Sequence, residues 1–86
     1  MKQIEHDVFT AMSAGCETSS RITEYIFDEE ALSVTNIDRT SLSDWKRYNS
    51  YQAHLRQVVH ALRGLEKRGL VYRADDRGIT VWRLVR

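Results

Sequence analysis

The stretch LRGLEKRGLVYRADDRG, residues 62–78, contains the pattern that decides the fold. Its first half continues a run of apolar residues spaced three and four apart, which is the period of an amphipathic helix. Gly69 follows Lys67 and Arg68, and a glycine behind basic residues is typical of a helix C-terminus. From Leu70 onward the residues alternate as in a β-strand. The stretch therefore predicts a junction between a helix and a β-hairpin.

The helix that ends here is predicted to cover about residues 51–68. Its apolar side is one continuous stripe, formed by Tyr51, Leu55, Val58, Val59, Leu62 and Leu65. At 100° per residue the opposite side is basic and polar, and Ala53 and Gly64 keep that side free of bulk. Upstream, Ser41 precedes Asp44 by three residues and predicts an N-cap for another helical segment. This segment, about 42–48, is either separate from the long helix or continuous with it.

The hairpin is predicted over residues 70–85. Its connection is Asp75-Asp76-Arg77-Gly78, with Gly78 in the positive-φ position that follows a type I turn. Alternation along the strands divides the side chains between two faces. The predicted inner face consists of Leu70, Tyr72, Trp82 and Leu84. The predicted outer face consists of Val71, Arg73 and Arg83.

The N-terminal half is predicted to contain two shorter helices. The first covers about residues 2–14, where apolar residues lie at helical spacing, and Gly15 provides its stop. The second covers 19–27, with Thr18, Ser19 and Ser20 offering cap oxygens. Its inward residues are Ile22, Tyr25 and Ile26. Residues 28–40 lack a period and predict a long loop.

Composition predicts one globular domain over residues 1–86, because the chain is 42% hydrophobic and 29% charged and has no proline, repeat or low-complexity tract. No apolar run reaches the roughly 18 residues of a membrane span, and the N-terminus lacks the apolar core of a secretory signal. We therefore expect a cytoplasmic protein that does not contact membranes.

No group of residues predicts catalysis. Cys16 is the sole cysteine, and His6, His54 and His60 lack the spacing of metal ligands. No serine, cysteine or carboxylate has a recognisable activating partner, and there is no glycine-rich phosphate loop. We expect neither an enzyme nor a bound metal, cofactor or small-molecule ligand.

The charges are divided unevenly along the chain. Residues 1–38 contain two basic and eight acidic residues, whereas residues 39–86 contain eleven basic and four acidic residues. Such asymmetry is typical of a polyanion-binding surface, and it also fits two solvated faces of opposite sign or a contact between copies. The basic helix face favours DNA, because arginine can donate two parallel hydrogen bonds to guanine and glutamine can pair similarly with adenine.

The run HALRGLEKRGLVYRADDRGITVWRLV, residues 60–85, resembles the last helix and wing of a winged helix-turn-helix domain, in which the pattern "aLrrLekrGLv…r…g…yrL" recurs. With the first helix and SSRITEYIF as the second, the resemblance covers nearly the whole chain. It implies a mainly α fold of three or four helices with a C-terminal β-hairpin as the wing. One departure is the segment 28–50, which is longer than the tight turn usual in this motif.

The resemblance also implies a site. Helix 51–68 would be the recognition helix in the major groove, with the wing alongside and with Ser20 and Arg21 near backbone phosphates. The implied DNA-binding residues are Gln52, Arg56, Gln57, His60, Arg63, Lys67, Arg73 and Arg77. We therefore expect a small protein that binds double-stranded DNA at the nucleoid, a sequence-specific transcription regulator. We expect it to act as a homodimer on two half-sites, joined through the first helix or through segment 28–50.

Two alternatives remain open. A winged-helix protein-protein interaction module without direct DNA binding would use the acidic half of the chain, namely Glu24, Asp28, Glu29 and Glu30. Binding of single strands or RNA would need exposed Trp45, Tyr48 and Tyr51 for base stacking. Against this second alternative, Trp45 and Tyr48 are also the residues expected to extend the core under the long connection.

Overall fold

A computed structural model describes residues 2–28 and 37–85, which form three α-helices followed by two antiparallel strands. The helices are α1, Gln3–Ser13; α2, Ser19–Phe27; and α3, Leu42–Lys67. The strands are β1, Val71–Asp76, and β2, Ile79–Leu84. The expectation of a mainly helical chain with a C-terminal β-hairpin is confirmed. Most of the predicted loop over 28–40 lies outside the described residues, as do Glu29 and Glu30.

Local signals in the sequence determine where the helices start and stop. The Thr18 hydroxyl accepts a hydrogen bond from the Arg21 amide at 3.2 Å, and the Ser41 hydroxyl accepts one from the Asp44 amide at 3.2 Å. At the end of α3, Gly69 has a φ of 76°, and the Leu70 amide donates to the Leu65 carbonyl. This Schellman motif requires a left-handed residue, which glycine adopts without strain.

The long helix begins earlier than predicted. α3 is one helix of 26 residues, about 39 Å long, so the segment 42–48 is continuous with it and is not a fourth helix. The physical reason is that no proline or glycine interrupts residues 42–63, while Asn49 and Ser50 are tolerated because they face solvent. Leu42 is 69% exposed, so the first turn of α3 extends beyond the core.

The hydrophobic core lies between the three helices and the hairpin, and α3 supplies much of it. Among its predicted inward residues, Tyr51, Val58, Leu62 and Leu65 are buried, whereas Leu55 and Val59 are only half-buried. Ala61, which lies outside the predicted stripe, is 3% exposed. The helical period therefore predicted the packed side of α3 correctly. The centre of the buried stripe lies closer to Ala61 than predicted.

On α2 one predicted inward residue faces solvent. Tyr25 is 53% exposed, whereas Ile22 and Thr23 are fully buried. Thr23 is compatible with burial because its hydroxyl donates to the Ser19 carbonyl at 2.7 Å, which satisfies its polar group inside the helix.

The hairpin faces the core with Leu70, Trp82 and Leu84 as predicted, but with Val71 in place of Tyr72. Val71 pairs with Leu84 and Arg73 with Trp82, so these four side chains share the face toward the helices. Val71 is 2% exposed and Tyr72 is 45% exposed, the reverse of the prediction. The cause is local: Leu70 belongs to the C-terminal motif of α3, so the alternation starts at Val71.

The connection of the hairpin is also tighter than predicted. β1 ends at Asp76 and β2 begins at Ile79, which leaves Arg77 and Gly78 as a two-residue turn. Both have positive φ, 56° and 84°, as in a type I′ turn rather than a type I turn followed by glycine. On the other edge of the hairpin, the Trp82 amide donates to the Glu17 carbonyl at 2.7 Å, which fastens β2 to the α1–α2 connection.

An ion pair between a buried carboxylate and a half-exposed arginine joins the start of α1 to the end of α3. Glu5 is 3% exposed, and Nη2 of Arg68 lies 2.9 and 2.8 Å from its two carboxylate oxygens. The Lys2 amide donates to the same carboxylate at 3.0 Å. A Cβ on Gly64 would lie 3.0 Å from Oε2 of Glu5, so Gly64 allows the close approach of α1. The sequence had predicted only that Gly64 keeps the basic side of the helix low.

Replacing Glu5 by glutamine is expected to lower the free energy of unfolding at neutral pH. In this variant the free energy of unfolding should also decrease less than in the wild type as the pH falls. The hydrogen bond from the Lys2 amide, together with Arg68, holds the pKa of Glu5 below its usual 4.5 despite burial. A carboxylate with a lowered folded-state pKa stabilises the fold above the unfolded-state pKa, and this stabilisation is lost as the pH falls through the folded-state pKa. Urea unfolding of wild type and Glu5→Gln from about pH 7 to about pH 3 measures it. Glu17→Gln, with a carboxylate that is 51% exposed, is the control. Equal acid sensitivity of wild type and Glu5→Gln would contradict this account.

Candidate nucleic-acid interface

The side of α3 opposite its buried stripe carries a row of exposed basic residues, Arg56, His60, Arg63 and Lys67, here called the basic face. At 100° per residue these four positions lie within about 60° of one another. From the first to the last they span about 16 Å of the helix axis. No acidic residue occurs between Asp44 and Glu66. The basic face therefore concentrates the formal positive charges of Arg56, Arg63 and Lys67 on one side of α3.

The basic residues of the described chain fall into two groups. Four arginines have a carboxylate within ion-pair distance: Arg68 with Glu5, Arg73 with Glu66, Arg47 with Asp44 and Arg83 with Glu17. Within residues 2–28 and 37–85, no residue of the basic face has such a partner. Other unpaired cations, among them Lys2, Arg21, Arg39 and Lys46, are distributed over different elements. The basic face is thus the place where uncompensated charge is concentrated on one side of one helix.

The two predicted glutamines differ in accessibility. Gln57 is exposed and lies beside the basic face, whereas Gln52 is half-buried. An amide that contacts a base edge must reach out of the protein surface, so Gln57 is the better placed of the two to pair with adenine.

The two predicted hairpin arginines also differ. Arg73 does not point away from the helices as predicted: its Nε lies 2.9 Å from Oε2 of Glu66, and its guanidinium lies 5.5 Å from the centre of the Trp82 ring. These contacts attach β1 to α3. Arg77 is exposed in the turn, beside the exposed Asp75 and Asp76. The hairpin therefore presents one unpaired arginine, close to two acids that oppose phosphate.

A surface depression of about 400 Å³ accompanies the basic face, which the sequence pattern did not predict. The half-buried Leu55 and Val59 line it together with Arg56, His60 and Arg63. The sequence pattern placed Leu55 and Val59 in the core, and their position on the flank of the stripe is the signal that could have placed them here. The depression combines apolar surface with arginines, a combination suited to contacts with both thymine methyl groups and guanine.

The aromatic residues in the first half of α3 make contacts within the protein. Nε1 of Trp45 donates to the Arg39 carbonyl at 2.7 Å, and its ring packs edge-on against Tyr48 at 5.7 Å. Tyr51 is 2% exposed. Further along, the rings of Phe27 and His54 are stacked with their centres 3.9 Å apart, which fastens α2 to α3. Because Tyr51 is buried, its ring is inaccessible to base stacking.

Other kinds of site find little support in the described chain. Residues 2–28 and 37–85 contain no cluster of three or more His, Cys, Asp or Glu side chains that could hold a metal ion. Cys16 is half-buried, and burial raises the pKa of its thiol, which disfavours the reactive thiolate. None of the described helices has the length and apolar character needed to cross a membrane.

Comparison of the chain with protein-family models, with curated proteins and with solved structures finds no match.

Proposed function

We propose that this chain is a winged helix-turn-helix protein that binds double-stranded DNA, placing α3 in the major groove with the β1–β2 hairpin alongside as the wing. In this proposal it is a sequence-specific transcription regulator. The observation that carries the proposal is the basic face of α3, whose exposed side chains have no acidic partner in the described structure, whereas four other arginines do. Unpaired cations release condensed counterions from DNA when they meet phosphates, which favours association.

The dimensions of α3 suit this role. A helix with its side chains is about 10–12 Å across, and the major groove is about 12 Å wide. The core uses the opposite side of α3, so entry into a groove would not disturb packing. Arg56 and Arg63 would donate to guanine edges or phosphates, and exposed Gln57 would pair with adenine.

The start of α2 supplies a second contact in this proposal. Arg21, Asp76 and Ile79 line one depression of about 490 Å³, so the turn end of the hairpin lies beside the N-terminus of α2. Helix N-termini favour phosphate because their free amides and dipole are positive. Ser20 and Arg21 at this end, with Arg77 in the turn, would contact the DNA backbone. Asp75 and Asp76 work against phosphate, so α3 would supply most of the affinity.

We propose a homodimer because the DNA-contacting surface of one copy is small. One helix in one groove gives limited contact, and two copies on adjacent half-sites about 34–36 Å apart double it. We therefore propose a twofold-symmetric DNA target.

The test is a fluorescence-anisotropy titration with labelled random-sequence duplex DNA over a series of salt concentrations. Binding of the wild type should weaken steeply with salt. In the Arg56→Ala/Arg63→Ala variant the slope of log K against log salt should become shallower by about 0.9 for each phosphate that is no longer neutralised. Its affinity at low salt should fall by roughly 10- to 100-fold, since two contacts are lost and the net worth of each exposed contact is about 0.7–1.4 kcal/mol.

The matched control is Arg47→Ala/Arg83→Ala, which removes the same charge from arginines that pair with Asp44 and Glu17. Its slope should stay close to that of the wild type. Equal effects of the two double variants would show that only net charge matters and would remove α3 from the interface. Absence of wild-type binding at low salt would contradict DNA binding and favour the interaction module, whose described acidic residues are Glu24 and Asp28.

A further inference from the structure

The outer edge of β1 is exposed and unpaired at Arg73 and Asp75 in the described structure, whereas its first residue, Val71, is buried. The Trp82 amide donates to Glu17, so the Arg73–Trp82 pair does not exchange ladder hydrogen bonds. Hydrogen-bonded and non-hydrogen-bonded pairs alternate in antiparallel sheets, so the backbone groups of Val71, Arg73 and Asp75 point away from β2. Among residues 2–28 and 37–85, no backbone group pairs with them. A strand edge of this kind is a template for another strand.

We propose that β1 of one molecule pairs with β1 of a second copy, antiparallel about a twofold axis at Ala74, so that the two hairpins form one four-stranded sheet. In this register Arg73 lies opposite Asp75 of the second copy, and Asp75 lies opposite Arg73 of the second copy. Tyr72 lies opposite Asp76 of the second copy. The homodimer would then form through the hairpin rather than through α1 or segment 28–50.

The charges of β1 select this register. A shift of two residues in one direction opposes Arg73 to its own counterpart, and a shift in the other direction opposes Asp75 to its own counterpart. Like charges directly opposite each other destabilise a strand pair. A shift of one residue would place backbone groups that point away from β2 opposite backbone groups of the second copy that are already bonded to its own β2. Among these registers, the axis at Ala74 alone matches the outward-pointing backbone groups and places opposite charges across from each other.

Charged residues also serve to protect strand edges from association. β1 differs from a simply protected edge because its charges are self-complementary: a cation and an anion lie at equal distances on either side of Ala74. Arg73 is also held in place by Glu66 at 2.9 Å, which reduces the entropy lost when it meets an acid. Asp75 is exposed and has no cation within ion-pair distance in the described chain.

A disulfide at the twofold axis tests the register directly. Ala74 would face its own counterpart in a non-hydrogen-bonded pair, with Cα atoms about 4.5 Å apart, which is within disulfide range. Ala74→Cys, made together with Cys16→Ser, should therefore form a covalent dimer under mild oxidation, seen on a non-reducing gel. Asp76→Cys in the same background is the control, because its counterpart would lie about 13 Å away. We expect at least about 10-fold more dimer from Ala74→Cys, since Cα atoms more than about 7 Å apart cannot be bridged without backbone movement. Equal or absent cross-linking would overturn the proposal.

A charge exchange provides an independent check without any thiol. Arg73→Glu alone and Asp75→Arg alone each place like charges opposite one another, so each variant should dimerise at least about 10-fold more weakly than wild type in sedimentation equilibrium. An equimolar mixture of the two should regain dimers, because each chain then meets its complement. A mixture that stays monomeric would refute the pairing. Neither experiment contains DNA, so the outcome is separate from that of the DNA-binding proposal.

Discussion

An Arg56→Glu/Arg63→Glu variant is expected to bind duplex DNA roughly 1,000-fold or more weakly than wild type at about 0.1 M salt. Both side chains are exposed on the basic face, and in the described chain neither has an acidic partner that would be disturbed. Each reversal removes a favourable interaction with phosphate or guanine and also opposes a carboxylate to the DNA backbone. The second effect makes the reduction in affinity larger than that of alanine substitution. Anisotropy titration with the labelled duplex measures it.

The control for this prediction is Arg47→Glu/Arg83→Glu, which changes the net charge equally. These arginines pair with Asp44 and Glu17 at 3.8 and 3.9 Å and lie away from the basic face. We expect the affinity of this variant to fall by no more than about 10-fold, the part that depends on the overall field of the protein. If both reversals abolished binding to the same extent, the specific role of the basic face would be wrong.

The second large effect concerns stability. Leu62 of α3 is fully buried in the core shared by the three helices and the hairpin. Leu62→Ala removes apolar packing and leaves a cavity, so the free energy of unfolding should fall by about 2–5 kcal/mol. A chain of this length is stabilised by about 4–13 kcal/mol in all, so the variant loses a large fraction of its stability. Urea denaturation followed by circular dichroism measures the change.

Leu42→Ala is the matched control, because it is the same chemical change at a position 69% exposed on the same helix. Its effect should stay within about 0.5 kcal/mol. A similar decrease from both substitutions would mean that Leu62 does not occupy the centre of the core.

The junction of helix and hairpin was predictable because its signals are local. Gly69 marks the end of α3, Thr18 and Ser41 cap the helices that follow them, and the period of three and four locates the packed side of α3. Each of these signals acts within about one helical turn, so the sequence alone contains the information. The same period placed the basic face on the exposed side.

The remaining differences depend on contacts between distant residues or on how two elements join. Val71 and Tyr72 exchanged faces because the helix cap includes Leu70 before the strand begins. Burial of Glu5 depends on Arg68, 63 residues away. The resemblance assigned Arg73 to DNA from its place in the hairpin, but its side chain pairs with Glu66 once β1 packs beside α3. Residue spacing therefore could not show which basic residues of the candidate site lack an acidic partner.

Titration of ¹⁵N-labelled protein with a short duplex at low salt, followed by amide chemical shifts, tests the central proposal most directly. We predict that the largest shifts occur along α3 from Arg56 to Lys67 and in the turn at Arg77, while α1 changes little. Shifts confined to α1 and α2, or no shifts at any DNA concentration, would contradict the proposal that α3 reads DNA.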